Sequence, residues 1–262
     1  MPRKIVIHAG FHKTGTSTVQ AVLRENRKLL MPALAIRLKS QMRDLLHATR
    51  GYSTYLTPDG LDKVSRRFDA LLAELPGMPR RTLLLSAEEL SGHLPGRGEL
   101  ADYSATPVLM YLFWQRAQQA FPKTPVVFCF GIRKAEDWLP SAWAEHVKSS
   151  NMQLDYDAYL ARYKASANLA QIVQETKRRV PAPVHSYALE DCASLRLGPA
   201  DPVLDLCDIP PALRAGLIPQ TPKNTRLNAA ILADLLTINR THTDSESRKA
   251  AKARRIAQGT ST

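Results

Sequence analysis

The sequence has few cysteines and no long apolar segment. Its 262 residues include three cysteines: Cys129, Cys192 and Cys207. They lie too far apart for a metal-ligand spacing and cannot form a fully paired disulfide framework, which favours a reducing compartment. No apolar run reaches the roughly 18 residues that a membrane-spanning helix requires. Gly10 and His12 interrupt the short apolar run at the N-terminus, so it lacks the core of a signal peptide. We therefore expect a cytoplasmic protein without a transmembrane segment.

Acidic residues are outnumbered by basic ones. Lys and Arg number 36 and Asp and Glu number 24, which gives a formal net charge of +12. The hydrophobic share of 44% is typical of a globular protein and excludes wholesale disorder. A positive charge of this size favours phosphorylated or polyanionic partners, and it leaves peripheral contact with a membrane surface open.

Apolar patterning predicts strands that alternate with helices. The expected strands are 4–9, 82–85, 125–130 and 184–188. The expected helices are 16–30, 35–49, 57–75, 107–121, 137–149, 167–180 and 226–240. Such alternation is typical of an α/β fold with a central parallel sheet flanked by helices. No internal repeat or domain boundary is apparent, so we expect one domain over 1–243 and a basic, frayed tail over 244–262.

The densest chemical pattern is the glycine-bearing segment between the first strand and the first helix. It contains His12, Lys13, Thr14, Gly15, Thr16, Ser17 and Thr18. Glycine lets the backbone wrap closely around an anion, and the N-terminus of a helix favours negative charge. The spacing of Gly10 and Gly15 matches the phosphate-binding loop of nucleotide triphosphatases, but Lys13 lies inside the loop instead of following the second glycine. We expect a P-loop-like three-layer fold with an anion site here.

This loop resembles that of sulfotransferases that use 3′-phosphoadenosine 5′-phosphosulfate, and its amino-acid sequence is most similar to bacterial, carbohydrate-type members. The resemblance implies that residues 12–18 bind the 5′-phosphosulfate. A second match follows the third predicted strand, where Arg133 and Ser141 have the spacing of the family's 3′-phosphate site. A guanidinium and a helix-borne hydroxyl are suitable donors to a phosphate dianion. A third, weaker match at residues 222–227 implies that Lys223 or Arg226 closes over the nucleotide.

The resemblance implies sulfuryl transfer without a metal, to a hydroxyl that we expect to belong to a carbohydrate or glycolipid. The products are the sulfated acceptor and adenosine 3′,5′-bisphosphate. Lys13 is the candidate to stabilise charge on the leaving phosphate. For the base that takes the acceptor proton, Glu88 is preferred at the end of the second predicted strand. The alternatives are Glu89, His146, His12 and His93. Residues 31–80 and 92–106 are expected to wall the acceptor side.

Two other functions remain open at this stage. The first is a small-molecule kinase that uses ATP and magnesium, since Glu88 or Glu89 could hold the metal. The second, less favoured, is a module that binds nucleic acid or another polyanion. The basic residues of this sequence are scattered and match no nucleic-acid-binding motif, so we expect no nucleic-acid partner.

Overall fold

The computed structural model describes residues 1–75, 77–78, 80–220 and 227–259. Its strands are β1 (Lys4–His8), β2 (Leu34–Leu38), β3 (Thr82–Ser86), β4 (Val126–Ile132) and β5 (Val184–Ala188). Its helices are α1 (Thr16–Glu25), α2 (Arg27–Leu30), α3 (Arg43–Tyr55), α4 (Pro58–Ala73), α5 (Thr106–Ala120), α6 (Ala135–Ser149), α7 (Tyr156–Tyr163), α8 (Leu169–Arg179), α9 (Ala200–Asp205), α10 (Pro211–Ala215), α11 (Ala229–Thr241) and α12 (Ser245–Gly259). Short 3-10 turns lie at Lys39–Gln41, Glu88–Ser91, Lys164–Ala167 and Glu190–Cys192.

The five strands form one parallel sheet in the order β2-β3-β1-β4-β5. Alternate strand residues face two cores. Ile5, Ile7 and Phe128 belong to the larger core with α3–α8 and α11. Val6 and Leu84 belong to a smaller core with α1 and α9. The expected α/β fold with helices on both faces of a parallel sheet is confirmed.

Parallel pairing brings the carboxyl ends of the central strands to one edge of the sheet. His8, the last residue of β1, pairs with Ser86 of β3 and Cys129 of β4. The segments that follow β1, β3 and β4 therefore leave the sheet side by side. In open α/β sheets this edge forms the ligand crevice.

Two expectations from the sequence were wrong. Residues 34–38 form edge strand β2 and not the start of a helix over 35–49, because Leu34 and Ile36 are buried in the smaller core while the backbone pairs with β3. The expected frayed tail is helix α12, which packs against α11. Lys252 of α12 is buried and donates hydrogen bonds to backbone carbonyls at the end of α6.

No helix within the described residues is long and apolar enough to cross a membrane.

Candidate functional site

A cleft of about 580 Å³ opens at the carboxyl edge of the sheet. Its walls come from the β1–α1 loop, α3, the segment after β3 and α6. Of the residues singled out in the sequence, the cleft is lined by His12, Lys13, Gly15, Thr16, Ser17, Thr18, Glu88, Glu89, His93, Arg133 and Ser141. One cleft thus collects residues that lie more than 120 positions apart in the sequence.

The β1–α1 loop is held in a tight turn by two residues with left-handed backbone. Lys13 has a φ of 66° and Gly15 a φ of 91°. The Thr14 hydroxyl donates to the Phe11 carbonyl at 2.6 Å, so this side chain closes the turn. Thr14 is buried and does not line the cleft, which leaves only its backbone amide for the expected role in phosphate binding.

Several backbone donors of this loop have no partner among the described residues. Among the described residues, the backbone N–H groups of residues 13–17 donate no hydrogen bond. The first backbone N–H groups of α1 that donate are those of Thr18 and Val19, both to the Gly15 carbonyl. The Thr16 hydroxyl oxygen is buried and has no partner there either. Buried donors are normally satisfied, so this cluster at a helix N-terminus is suited to an anion.

Arg133 joins the second predicted motif to the loop. It follows β4, and its Nη1 donates to the Lys13 carbonyl at 3.4 Å. It forms no ion pair with any described carboxylate, and Ser141 of α6 lines the same cleft. Trp138, which the sequence analysis did not single out, donates its indole N–H to the His12 carbonyl at 2.8 Å. The structure therefore brings both motifs together.

Lys13 is paired with a carboxylate that sequence reasoning missed. Its Nζ lies 3.3 Å from Oε2 of Glu145 on α6. Burial works to raise the pKa of Glu145, but the Lys13 charge and hydrogen bonds outweigh it and hold the pKa below its usual value. Glu145 follows Ser141 by four residues, so helical spacing was the signal that it shares the cleft-facing side of α6.

Glu88 and Glu89 follow β3 and are held by one lysine. Lys39 Nζ lies in contact with Oε1 of Glu88 and 3.1 Å from Oε1 of Glu89. Gln20 of α1 donates to Oε2 of Glu88 at 3.4 Å, while Oε2 of Glu89 is buried without a described partner. Burial works to lower the pKa of Lys39, but the charges of the two carboxylates and their hydrogen bonds raise it overall.

His12 lies beside these carboxylates. One of its ring nitrogens and one oxygen from each of Glu88 and Glu89 lie within 4.8 Å of one another. The Tyr103 hydroxyl accepts from the His12 backbone N–H and lies 2.9 Å from His12 Nδ1. Among the described residues, Nδ1 is the acceptor within reach of this buried hydroxyl proton, and the tautomer that satisfies the hydroxyl carries the ring proton on Nε2. Burial lowers the pKa of His12 to about 3, so the neutral ring presents a donor and not a base.

His146 is not part of the cleft, and this disfavours it as the base. It is fully buried on α6, and its Nε2 lies 2.7 Å from the Pro95 carbonyl. Since a carbonyl can only accept, Nε2 carries the proton. The histidine ties α6 to the loop that follows Ser91. Lys223 and Arg226, the candidates for nucleotide closure, lie outside the described residues.

The cleft also contains cations that no motif identified: Lys39, Arg50, Arg97 and Lys148. The first two come from residues 31–80, and Arg97 comes from 92–106. Both segments that were expected to form walls do contribute to the cleft. No spacing rule links these residues, because the fold alone brings them together.

Comparison with known proteins assigns no family. A scan against protein-family models found no match, and a search of curated proteins found none.

Proposed function

We propose that this protein is a sulfotransferase, which transfers a sulfuryl group from 3′-phosphoadenosine 5′-phosphosulfate to a hydroxyl of a carbohydrate acceptor. One observation carries the proposal. The amides of residues 13–17 have no partner among the described residues, and the guanidinium of Arg133 forms no ion pair with them. Both lie in the same cleft and are joined by the Arg133 contact to the Lys13 carbonyl. Two sets of hydrogen-bond donors that can bind anions, within one cleft of nucleotide size, suit a nucleotide with phosphate at both its 3′ and 5′ positions.

The donor residues divide into two groups. The loop amides, the Thr16 hydroxyl and the Lys13 ammonium bind the 5′-phosphosulfate. Arg133 and Ser141 bind the 3′-phosphate from the other side, with the fork geometry that a guanidinium offers to a phosphate. Lys13 exchanges its contact with Glu145 for the incoming anion. Ser17 and Thr18 supply further hydroxyls at the helix N-terminus.

The transfer is an in-line displacement at sulfur. The acceptor oxygen forms a bond to sulfur while the bond from sulfur to the bridging oxygen breaks. That electron pair remains on the phosphate of adenosine 3′,5′-bisphosphate. Lys13 stabilises this developing negative charge, which is the role that a fixed cation performs best in a desolvated cleft.

Glu88 takes the acceptor proton. Its carboxylate lies at the end of β3, oriented by Gln20 and Lys39. Lys39 compensates the charges of the two adjacent carboxylates and fixes their position at the end of β3. His12 presents its Nε2–H to the same region and orients the acceptor by donating a hydrogen bond.

The cluster of His12, Glu88 and Glu89 favours a second candidate, a kinase that uses ATP and a divalent cation. Carboxylates at a strand end are suitable ligands for magnesium. The Lys39 ammonium, however, already compensates both of them, and the lysine of the loop lies at position 13 instead of directly after Gly15. Both features favour the sulfotransferase.

Calorimetry with adenosine 3′,5′-bisphosphate in the absence of metal tests the proposal. We expect wild type to bind, and Arg133→Ala and Lys13→Ala each to weaken binding at least about tenfold, or about 1.4 kcal/mol. Arg178→Ala is the matched control, since Arg178 is exposed on α8 and does not line the cleft. It should bind like wild type.

Three results contradict the proposal. These are no binding of the bisphosphate at low salt, affinity that is indifferent to Arg133, and binding of ATP that requires magnesium. The last of these would support the kinase. If the bisphosphate binds, the base is tested by transfer of a radiolabelled sulfuryl group from the nucleotide to carbohydrate acceptors. Wild type should show this transfer. Glu88→Gln should lose it while it keeps its affinity for the bisphosphate, which would assign Glu88 as the base.

A further inference from the structure

The cleft contains two arginines that the donor site does not use. Lys13 and Lys39 have carboxylate partners, and Arg133 is assigned to the 3′-phosphate. Arg50 and Arg97 also line the cleft, yet neither forms an ion pair with any residue that the structure describes. The Glu145 carboxylate acts on Arg97 through space but does not pair with it, so both guanidiniums are half-buried in the cleft and available to an anion.

Arg97 is held in place by α6. Its Nη1 donates to the Ser149 carbonyl at 3.1 Å, and its Nη2 donates to the Ser149 hydroxyl. The Pro95 carbonyl is hydrogen-bonded to His146. Gly96, which lies between Pro95 and Arg97 in the sequence, has a φ of 96°. Nε of Arg97 is buried and has no hydrogen-bond partner among the described residues. The guanidinium is thus fixed by two bonds and keeps an unused donor.

Arg50 and His93 complete the cluster from two neighbouring elements. The Thr49 hydroxyl donates to the Glu89 carbonyl at 2.7 Å, which fixes α3 against the segment that bears the carboxylates. The Leu94 N–H donates to His93 Nδ1 at 3.0 Å, so the ring proton is on Nε2. Burial, together with the charges of Arg97 and Arg50, lowers the pKa of His93 to about 4. Each of the three groups therefore keeps at least one N–H that no described residue accepts.

We propose that Arg50, Arg97 and the Nε2–H of His93 bind a negatively charged group of the acceptor, so that the acceptor is an anionic carbohydrate with a carboxylate or a phosphate ester. The inference rests on the proposed function, because it assigns the half of the cleft that the nucleotide leaves free.

The location of the cluster suits an acceptor site. The His93 and His12 rings are 6.4 Å apart between centroids, and His12 lies beside Glu88 and Glu89. A sugar of ordinary size could therefore place its anionic group on the arginines and a hydroxyl near the proposed base. The anions of the donor nucleotide are bound by the β1–α1 loop and Arg133. The anionic group of the acceptor is bound by α3 and the segment after Ser91.

Binding of simple sugars to the protein saturated with adenosine 3′,5′-bisphosphate tests this inference. Saturation fills the donor site, so a charged sugar cannot bind there. Glucuronic acid, glucose 6-phosphate and glucose are titrated separately, and the first two distinguish a carboxylate from a phosphate ester. We expect at least one charged sugar to bind about tenfold or more tightly than glucose. Arg50→Gln with Arg97→Gln should abolish this preference while the bisphosphate affinity stays unchanged.

Arg178→Gln on α8 serves as the control and should keep the preference. The inference is overturned if neither charged sugar binds more tightly than glucose, or if the preference survives in the double variant. Failure of the bisphosphate to bind would instead overturn the proposed function. Titration of the same sugars without nucleotide would then still decide whether Arg50 and Arg97 form an anion site.

Discussion

At the scale of single residues, Gly15 shows most clearly what the loop requires. Its φ of 91° is accessible to few side-chain-bearing residues, and a Cβ there would lie 2.8 Å from Cδ1 of Leu189 and 3.1 Å from Cγ of Pro199. Gly15→Ala should therefore lower the free energy of unfolding by about 1–3 kcal/mol. It should also weaken adenosine 3′,5′-bisphosphate binding, since the amides of residues 13–17 move with the turn. Chemical denaturation and calorimetry measure the two effects.

Gly51 provides the matched control for that substitution. It lies within α3, and a Cβ there would contact no other atom within 4 Å. Gly51→Ala should leave nucleotide binding unchanged and raise stability by about 0.5–1 kcal/mol, because alanine loses less backbone entropy in a helix. Equal destabilisation by both substitutions would contradict the role given to the left-handed turn.

The residues that sequence reasoning could locate are those with a local signature. Lys13 lies in a recognisable loop, and Arg133 follows a buried strand with Ser141 eight residues later on the next helix, which is the spacing of the family that the sequence resembles. The structure places them in one cleft. His146 has no such signature, because a histidine on a helix looks the same whether it faces a cleft or a loop. Lys39, Arg50 and Arg97 lie far apart along the chain, and only the packing of α3 and the post-β3 segment brings them into the site.

At the scale of elements, α12 depends on one buried lysine. Lys252 is 6% exposed, and its Nζ donates to the Val147 carbonyl at 2.6 Å and the Ser150 carbonyl at 2.5 Å. Carbonyls at a helix C-terminus have no partner within the helix. Lys252→Met keeps most of the apolar stem but removes the Lys252 donor from both carbonyls, and only the Val147 carbonyl keeps a second side-chain donor, Nδ2 of Asn239. The substitution should therefore lower the free energy of unfolding by about 1–3 kcal/mol. Urea denaturation measures the change.

Lys249 is the control on the same helix, since it is exposed. Lys249→Met should change stability by no more than about 0.5 kcal/mol. If the two variants were equally stable, the contact between α12 and the end of α6 would contribute nothing, and the account of the tail as a packed helix would be wrong.

The elements that were predicted well are those whose own pattern decides their structure. β3 and β4 are continuous apolar runs, and α4 has proline at its start and a Thr57 side chain that accepts from Gly60 N–H. β2 was missed because its alanine, leucine and arginine residues are good helix formers, and only pairing with β3 overrides that preference. α12 was missed because much of its contact with the protein comes from the long basic side chains of Lys252 and Arg255, with Ile256 packed against the larger core, and this pattern reads as a solvated basic tail. Asp244, which accepts from the Ser247 N–H at 2.6 Å, was an available signal for its start.

At the scale of the whole molecule, several buried histidines predict sensitivity to acid. Burial lowers the pKa of His8, His93 and His146 to about 4 and that of His12 to about 3, from an ordinary value of 6.5. Between pH 6.5 and 4 the unfolded chain binds protons at these rings and the folded protein does not. Stability therefore falls as the pH falls through this window, by up to about 1.4 kcal/mol per pH unit for each ring.

Denaturant midpoints at pH 7 and pH 5 measure this dependence. His146→Gln should reduce the difference between the two pH values, because one buried ring no longer contributes. His47→Gln should leave it unchanged, since His47 is exposed. A folded protein whose stability is constant from pH 7 to pH 5 would contradict the burial of these rings.

Two hydrogen bonds that reach the β1–α1 loop from Arg133 and α6 have a kinetic consequence. Trp138 and Arg133 hold the carbonyls of His12 and Lys13, which are consecutive residues of the loop. The loop is thereby shaped before any nucleotide arrives, and its ordering entropy is lost during folding instead of during association. Under the proposed function, the nucleotide would meet a site that needs no slow rearrangement, and its association would be limited by diffusion and by release of the Lys13 ammonium from Glu145.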